Sequence, residues 1–232
     1  ALERLQDSGL IFATGDAEEA GFSFNHSLVQ EAAYESLSRA ARQDLHDKIA
    51  GLLEAQTVAS RESEPVLIAH HFSRAGKPER SCHFWMLAAD GSARQSAFVE
   101  AIANLNSALA EAERITDTAE RSRCKLDVQL KLGTTFIIQS GPQSSEAEAA
   151  MAEAYRLAKE VGAGKQRFQA AWGLYLNDGT NRRFDKARLR GDELIAISNE
   201  LGDDDLYLEA LHHRWGYASF IGQPAGMLDF SQ

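Results

Sequence analysis

The sequence predicts an all-α fold, an α-α superhelix of antiparallel helical hairpins with a short β-hairpin at its N-terminus. Three observations predict it. First, the stretch 127–232 carries one unit three times, with a large apolar residue before glycine at Leu132-Gly133, Trp172-Gly173 and Trp215-Gly216. A closing glycine follows in each unit (Gly141, Gly179, Gly222), and a new amphipathic run opens at Ser144, Phe184 and Pro224, forty residues apart. A beat of this length, with two helices per beat, marks a helical repeat array in which each hairpin buries its apolar face on its neighbours. Second, 4 prolines in 232 residues, with abundant Ala, Leu and Glu, favour helix. Third, residues 10–24 break the helical pattern with two short β-like runs.

The elements follow in order. Leu2 to Ser8 reads as the last turns of a helix stopped by Gly9. Leu10-Ile11-Phe12-Ala13 reads as a strand, Thr14 to Gly21 as a polar acidic loop, and Phe22-Ser23-Phe24 as a second strand. Helix, strand, loop, strand is the closing part of a winged-helix module, and an isolated hairpin packed on the array is the other reading. Asn25 is placed to cap a helix carrying Leu28, Val29, Ala32, Ala33 and Leu37. A second helix carries Leu45, Ile49, Leu52 and Leu53, and Gln56 to Glu64 reads as a loop. Pro65 and Pro78 each open a helix, where a missing N–H costs nothing. Inward positions are Leu67, Ile68 and Phe72 in the first, and Cys82, Trp85, Met86 and Ala89 in the second. Phe98 to Ile115 has a stripe of Ile102, Leu105, Leu109, Ala112 and Ile115, with Glu100, Asn104, Glu111 and Arg114 facing away. The chain thus divides into 1–37, the end of a winged-helix module; 38–126, irregular helical hairpins; and 127–232, regular repeats with the last one truncated. In the repeats, a glycine inside a helix costs about 1 kcal/mol against alanine, which makes sense where a neighbouring helix comes close.

Bulk properties narrow the function. The net charge of −10 argues against a general nucleic-acid binder, which needs a basic face. No run approaches the roughly 20 apolar residues of a membrane helix, and no signal peptide is visible. Cys82 and Cys124 belong to no CxxC pair and read as two separate reduced thiols in a cytoplasmic protein. The chain begins at Ala1 without methionine and stops inside a beat at Gln232, which predicts a piece of a longer protein. A cut array leaves an apolar end face uncapped, so self-association through the C-terminal repeat is expected.

Two resemblances sharpen this. The large apolar residue before glycine and the paired helices resemble tetratricopeptide-type repeats, although the beat is forty residues rather than the ~34 of that family. Gln129, Gln169 and His212 stand where the family has its early tryptophan. More specifically, the run Phe22-Ser23-Phe24-Asn25-His26-Ser27-Leu28-Val29-Gln30-Glu31-Ala32-Ala33-Tyr34, followed by Leu45-His46 and Ile49-Ala50, resembles a recurrent stretch of STAND-type signalling ATPases related to the maltose-regulator group. Ala69-His70-His71-Phe72, Ala75-Gly76, Ala101-Ile102 and Ala108-Leu109 resemble the start of their repeat region. Such proteins run from P-loop ATPase to winged helix to helical repeats, and many carry a class III adenylate/guanylate cyclase or a DNA-binding output domain. The resemblance implies that His26 reaches the β-phosphate of ADP in a parent protein that uses ATP or ADP with magnesium. This chain itself would be non-catalytic and would hold no cofactor.

Other motifs carry less. Gly162-Ala163-Gly164-Lys165 lacks the spacing and the Ser/Thr of a phosphate loop, since Gln166 follows the lysine. His70-His71 and His212-His213 project about 100° apart on a helix, so neither pair converges on one metal, and no metal site is expected. Asp203-Asp204-Asp205 reads as a helix N-terminal cap. Arg182, Arg183, Lys186, Arg188 and Arg190 read as a solvated basic face, or as a contact for an acidic partner. By analogy with repeat proteins, first helices line a concave groove, which makes Thr134, Ile137, Leu174, Asn177, His213, Tyr217 and Phe220 candidates for contact with a protein or small-molecule effector. The expected function is a regulatory, interacting segment coupled to an upstream ATPase module. The alternative is a free-standing repeat adaptor.

Overall fold

A computed structural model describes residues 2–14, 21–60 and 64–220. Helix α1 (Leu2–Asp7) ends where Gly9 takes a φ of +70°, a left-handed conformation suited to glycine. Strands β1 (Ile11–Thr14) and β2 (Gly21–Phe24) pair antiparallel, with Ile11 opposite Phe24 and Thr14 opposite Gly21. Asn25 does not cap the next helix. Its amide donates to the Gly9 carbonyl and ties the hairpin to the end of α1, while His26 occupies the N-cap position without a side-chain bond. Helix α2 (Ser27–Glu35) buries none of its residues, and Leu28 is 75% exposed. Of its expected apolar stripe, Leu28, Ala32 and Ala33 are exposed and only Val29 and Leu37 are half-buried.

Helix α3 (Arg39–Ser60) runs through the segment that reads as a loop from residue 56. Its inward face also differs from the expected one. His46 and Ala50 are buried, whereas Leu45 and Leu52 are exposed. The buried histidine is hydrogen-bonded, so a polar residue holds a position that hydrophobic periodicity assigns to leucine. Pro65 and Pro78 open α4 (Pro65–Arg74) and α5 (Pro78–Arg94), as their chemistry predicts. Ile68 and Phe72 are buried and Leu67 is exposed. In α6 (Phe98–Ala112) Glu111 does not face away. It is buried, accepts from Ser73 Oγ at 2.6 Å, and pairs with Arg114 at 2.7 Å.

The regular part begins at α7 (Thr118–Ser140), whose N-cap Asp117 accepts from the Glu120 amide at 2.7 Å, so the boundary drawn at 126–127 falls inside a helix. Ser144 caps α8 (Ser145–Val161), and α9 (Gly164–Thr180), α10 (Phe184–Leu201) and α11 (Asp204–Phe220) follow. Gly141 closes α7, but Gly179 lies within α9, which ends at Asn181 with Arg182 at a φ of +58°. Asp203 caps α11 by accepting from the Leu206 amide at 3.2 Å. Gly222 and Pro224 lie outside the described residues.

From α3 onward each helix packs on the next, and α5, α7 and α9 also touch one another in sequence, so they share one face of the array. The core is a string of three apolar clusters along this array, as a nearest-neighbour architecture requires. Residues about one beat apart bond across it. Ser122 meets Glu160 and Tyr175 meets the His213 carbonyl, both at a separation of 38, and Lys131 meets Asp90 at 41. The in-helix glycines serve close approach. A Cβ on Gly133 or on Gly173 would lie 2.8 or 2.7 Å from Met151 Cγ, so one methionine of α8 fills the notch left by both.

Cys82 on α5 and Cys124 on α7 form a disulfide, with Cα atoms 7.5 Å apart. This corrects the expectation of two separate thiols. Helix packing joins residues that are 42 positions apart and carry no motif spacing.

Candidate functional site: a cleft across the first helices

The shared face of α5, α7 and α9 holds an open cleft of about 680 Å³. Met86, Ala89 and Ala93 come from α5; Leu130, Thr134 and Ile138 from α7; Gln166 and Gln169 from α9. The residues turned here from α7 recur at helical spacing, and Ile138 is 60% exposed. Charge is arranged across the floor. Lys131 donates to Asp90 at 2.6 Å, linking α7 to α5. Partial desolvation holds the Asp127 carboxyl above its usual pKa, against the pull of Lys131. Lys165 at the α9 rim pairs with Asp203 at 2.9 Å. An apolar floor with polar groups at defined positions suits an extended or helical peptide segment, or a drug-sized organic ligand.

The sequence candidates divide. Thr134 lines the cleft, and its hydroxyl donates to the Leu130 carbonyl at 2.9 Å. Ile137 packs instead, partly buried, on the apolar cluster between α7 and α9. Leu174 is 6% exposed within that same cluster, so it is core and not groove. Asn177 is corrected most. It is 1% exposed, donates to the Pro142 and Ser144 carbonyls at 2.6 and 3.0 Å, and accepts from Arg183. A buried amide with several partners is a strut joining α9 to the α7–α8 turn. The ring of His213 packs beside Trp172 and Tyr175, and burial holds its pKa below 6.5 despite Glu209. The side chains of Tyr217 and Phe220 lie outside the described residues.

His26 is exposed at the start of α2, and its carbonyl accepts from the Val29 and Gln30 amides. Gly162 and Ala163 form the α8–α9 turn, and Gly164 and Lys165 open α9. The basic run at 182–190 is not merely solvated. Arg183 pairs with Asp178 at 2.8 Å and Glu148 at 3.1 Å, and Arg190 pairs with Glu193 at 2.8 Å. His70 and His71 diverge, His70 edge-on to Trp85 and His71 toward His46. Asp90, Lys131 and Ile138 escaped sequence reasoning. The signal for the ion pair was present, because Asp90 and Lys131 stand about one beat apart on equivalent faces. Among the described residues no helix is long and apolar enough to cross a membrane.

No family model matches the chain. Over 225 residues it is 23% identical to an uncharacterized protein of Rhizobium meliloti (strain 1021), a match that covers 96% of this chain and 22% of that protein. The chain therefore spans about a fifth of the length of the curated relative it matches.

Proposed function

We propose that this chain is the regulatory, protein-interaction segment of a larger signal-transducing ATPase, and that it senses an effector in the cleft across α5, α7 and α9. The observation that carries the reading is the N-terminal unit. Leu2, Leu5, Phe12, Phe22, Phe24 and Leu28 are all exposed there, within 27 residues, and α2 buries none of its residues. Phe22 and Phe24 share one face of the hairpin and Phe12 lies on the other, so both faces offer exposed apolar side chains to a partner, and an upstream module of the same protein is the partner this reading assigns. The Phe22–Tyr34 run, joined directly to helical hairpins, has the order that the STAND-type resemblance implies. The relative's greater length fits a segment of this kind.

In this reading the chain performs no bond chemistry. Effector binding favours one packing of the array and, through α2, one setting of the upstream nucleotide site. Such coupling works only to the extent that the effector distinguishes the two states. The test is nucleotide retention by the longer natural protein, with this chain alone as control. Tightly held ADP in the long form, released faster in His26→Ala and altered by Ile138→Glu, is the expected result. An ADP off-rate untouched by His26→Ala removes the histidine's role. Absence of nucleotide from the long form leaves the free-standing adaptor.

A further inference from the structure

A second cleft, of about 560 Å³, opens where α2 and α3 meet the α4–α5 and α6–α7 turns. It is lined by Arg39, Arg42, Arg74 and Arg114, with Gln43 and Tyr34, and among the described residues no carboxylate lines it. This is a local inversion of sign in a chain of net charge −10. Arg114 is partly committed, donating to Ser73 Oγ at 2.9 Å and to Glu111 at 2.7 Å. Arg42 lies 5.3 Å from the Tyr34 ring centroid. Arg39, Arg42 and Arg74 have no carboxylate partner among the described residues. Several arginines elsewhere in the fold are paired, as with Arg80 and Glu54, Arg156 and Glu153, Arg167 and Glu200, and Arg183 and Asp178, whereas Arg39, Arg42 and Arg74 gather in one cleft.

Helix stability does not explain the placement. Arg39 and Arg42 sit in the first turn of α3, which contains no acidic residue. The exposed amides of a helix N-terminus repel cations and attract anions, so two arginines there oppose the helix dipole. An anion in the cleft would reverse that penalty, meeting the guanidiniums and the helix end together. Guanidinium forks match the oxygens of phosphate in bidentate fashion. Three uncommitted forks with one partly committed call for more than the single charge of a carboxylate. We infer that this cleft binds a small phosphate ester or diphosphate, held by Arg39, Arg42 and Arg74 with Gln43 as an uncharged donor.

Calorimetric titration of the 232-residue chain with pyrophosphate, inorganic phosphate and malonate tests the inference. Pyrophosphate is expected to bind saturably, phosphate more weakly, and malonate weakest. Arg39→Gln with Arg74→Gln should weaken pyrophosphate at least about tenfold, the loss expected when charged hydrogen bonds are removed. Arg156→Gln, which disrupts an ion-paired arginine far along the array, should leave binding unchanged. Arg74→Lys keeps the charge without the fork, so it retains the fold and should still weaken binding. The inference is overturned if pyrophosphate shows no saturable heat up to about 10 mM. It is equally overturned if malonate binds as tightly as phosphate, or if Arg156→Gln loses as much as the cleft variants.

Discussion

Two places in this array join helices by opposite means. Around Met151, α7 and α9 meet α8 through missing side chains, since Gly133 and Gly173 leave the notches that the methionine fills. Around His46, α2, α3 and α4 meet through polar side chains. Tyr34 reaches His46 Nε2 at 3.0 Å, and His46 Nδ1 lies 2.9 Å from His71 Nδ1. The first joint depends on shape and is indifferent to pH. The second depends on which nitrogens carry protons. The joint at Met151 is therefore fixed in its packing, and the junction with the N-terminal unit is a part whose packing solution conditions can alter.

The largest effect belongs to the apolar joint. Met151 is 1% exposed, so Met151→Ala should cost about 3 kcal/mol in chemical denaturation, through lost burial and an incompletely collapsed cavity. A sharper form of the test uses the glycines. In the native background Gly173→Ala combines a helix-propensity gain of about 1 kcal/mol with a push against Met151 Cγ, and should be near neutral or destabilising. In the Met151→Ala background the push is gone, and the same substitution should stabilise by about that 1 kcal/mol. Additive effects of the two substitutions would show that the notch and the methionine are not one packing unit.

Asn177 comes next, as a polar strut inside the otherwise apolar frame. Asn177→Ala removes the donor to the Pro142 and Ser144 carbonyls and the acceptor for Arg183, and should cost about 2 kcal/mol in the same assay. Asn177→Asp keeps the volume but substitutes an oxygen for the donating nitrogen against two carbonyls, and should be no better than alanine. If either variant unfolds at the native midpoint, the strut carries no stability.

The same contrast explains how much was legible in the sequence. The helical hairpins, the proline-initiated helices, the cap at Asp203 and the short β-hairpin follow from local rules of periodicity and hydrogen bonding and are present, whereas Asn25 ties the hairpin to α1 instead of capping α2 and Gly179 lies inside α9. The inward face of α3 did not follow, because His46 is buried by partners 12 and 25 residues away that no local pattern announces. Glu111 was misjudged for the same reason, being satisfied by Ser73 at a distance of 38 residues. The groove was half legible. Helical phase puts Thr134 on the open face, but it cannot tell Leu174, buried between neighbouring helices, from Ile138, which the geometry of α5, α7 and α9 leaves open.

The smallest effect sought is at the polar joint, and its sign is fixed by the histidines. Burial holds His46 below 6.5, reinforced by the charges of His71 and Arg74; burial, Arg74 and His70 do the same for His71. The neutral arrangement is self-consistent. Tyr34 donates to His46 Nε2, and His46 Nδ1–H donates to His71 Nδ1. The Tyr34 hydroxyl can turn to accept from a protonated His46 Nε2, but when both rings are charged the facing Nδ1 atoms of His46 and His71 both carry protons and set a donor against a donor. Unfolded histidines take up protons as pH falls through 6.5, whereas these two resist until lower pH, so stability present above 6.5 is lost on acidification. The thermal midpoint should therefore fall between about pH 7.5 and about pH 5.5, and His46→Gln with His71→Gln should flatten that slope. His213, also held below 6.5, leaves a residual slope in the double variant. Tyr34→Phe, which removes only the hydroxyl, should lower stability at neutral pH while keeping most of the pH dependence. A slope unchanged by the double histidine variant would move the acid-sensitive element away from the junction and onto His213.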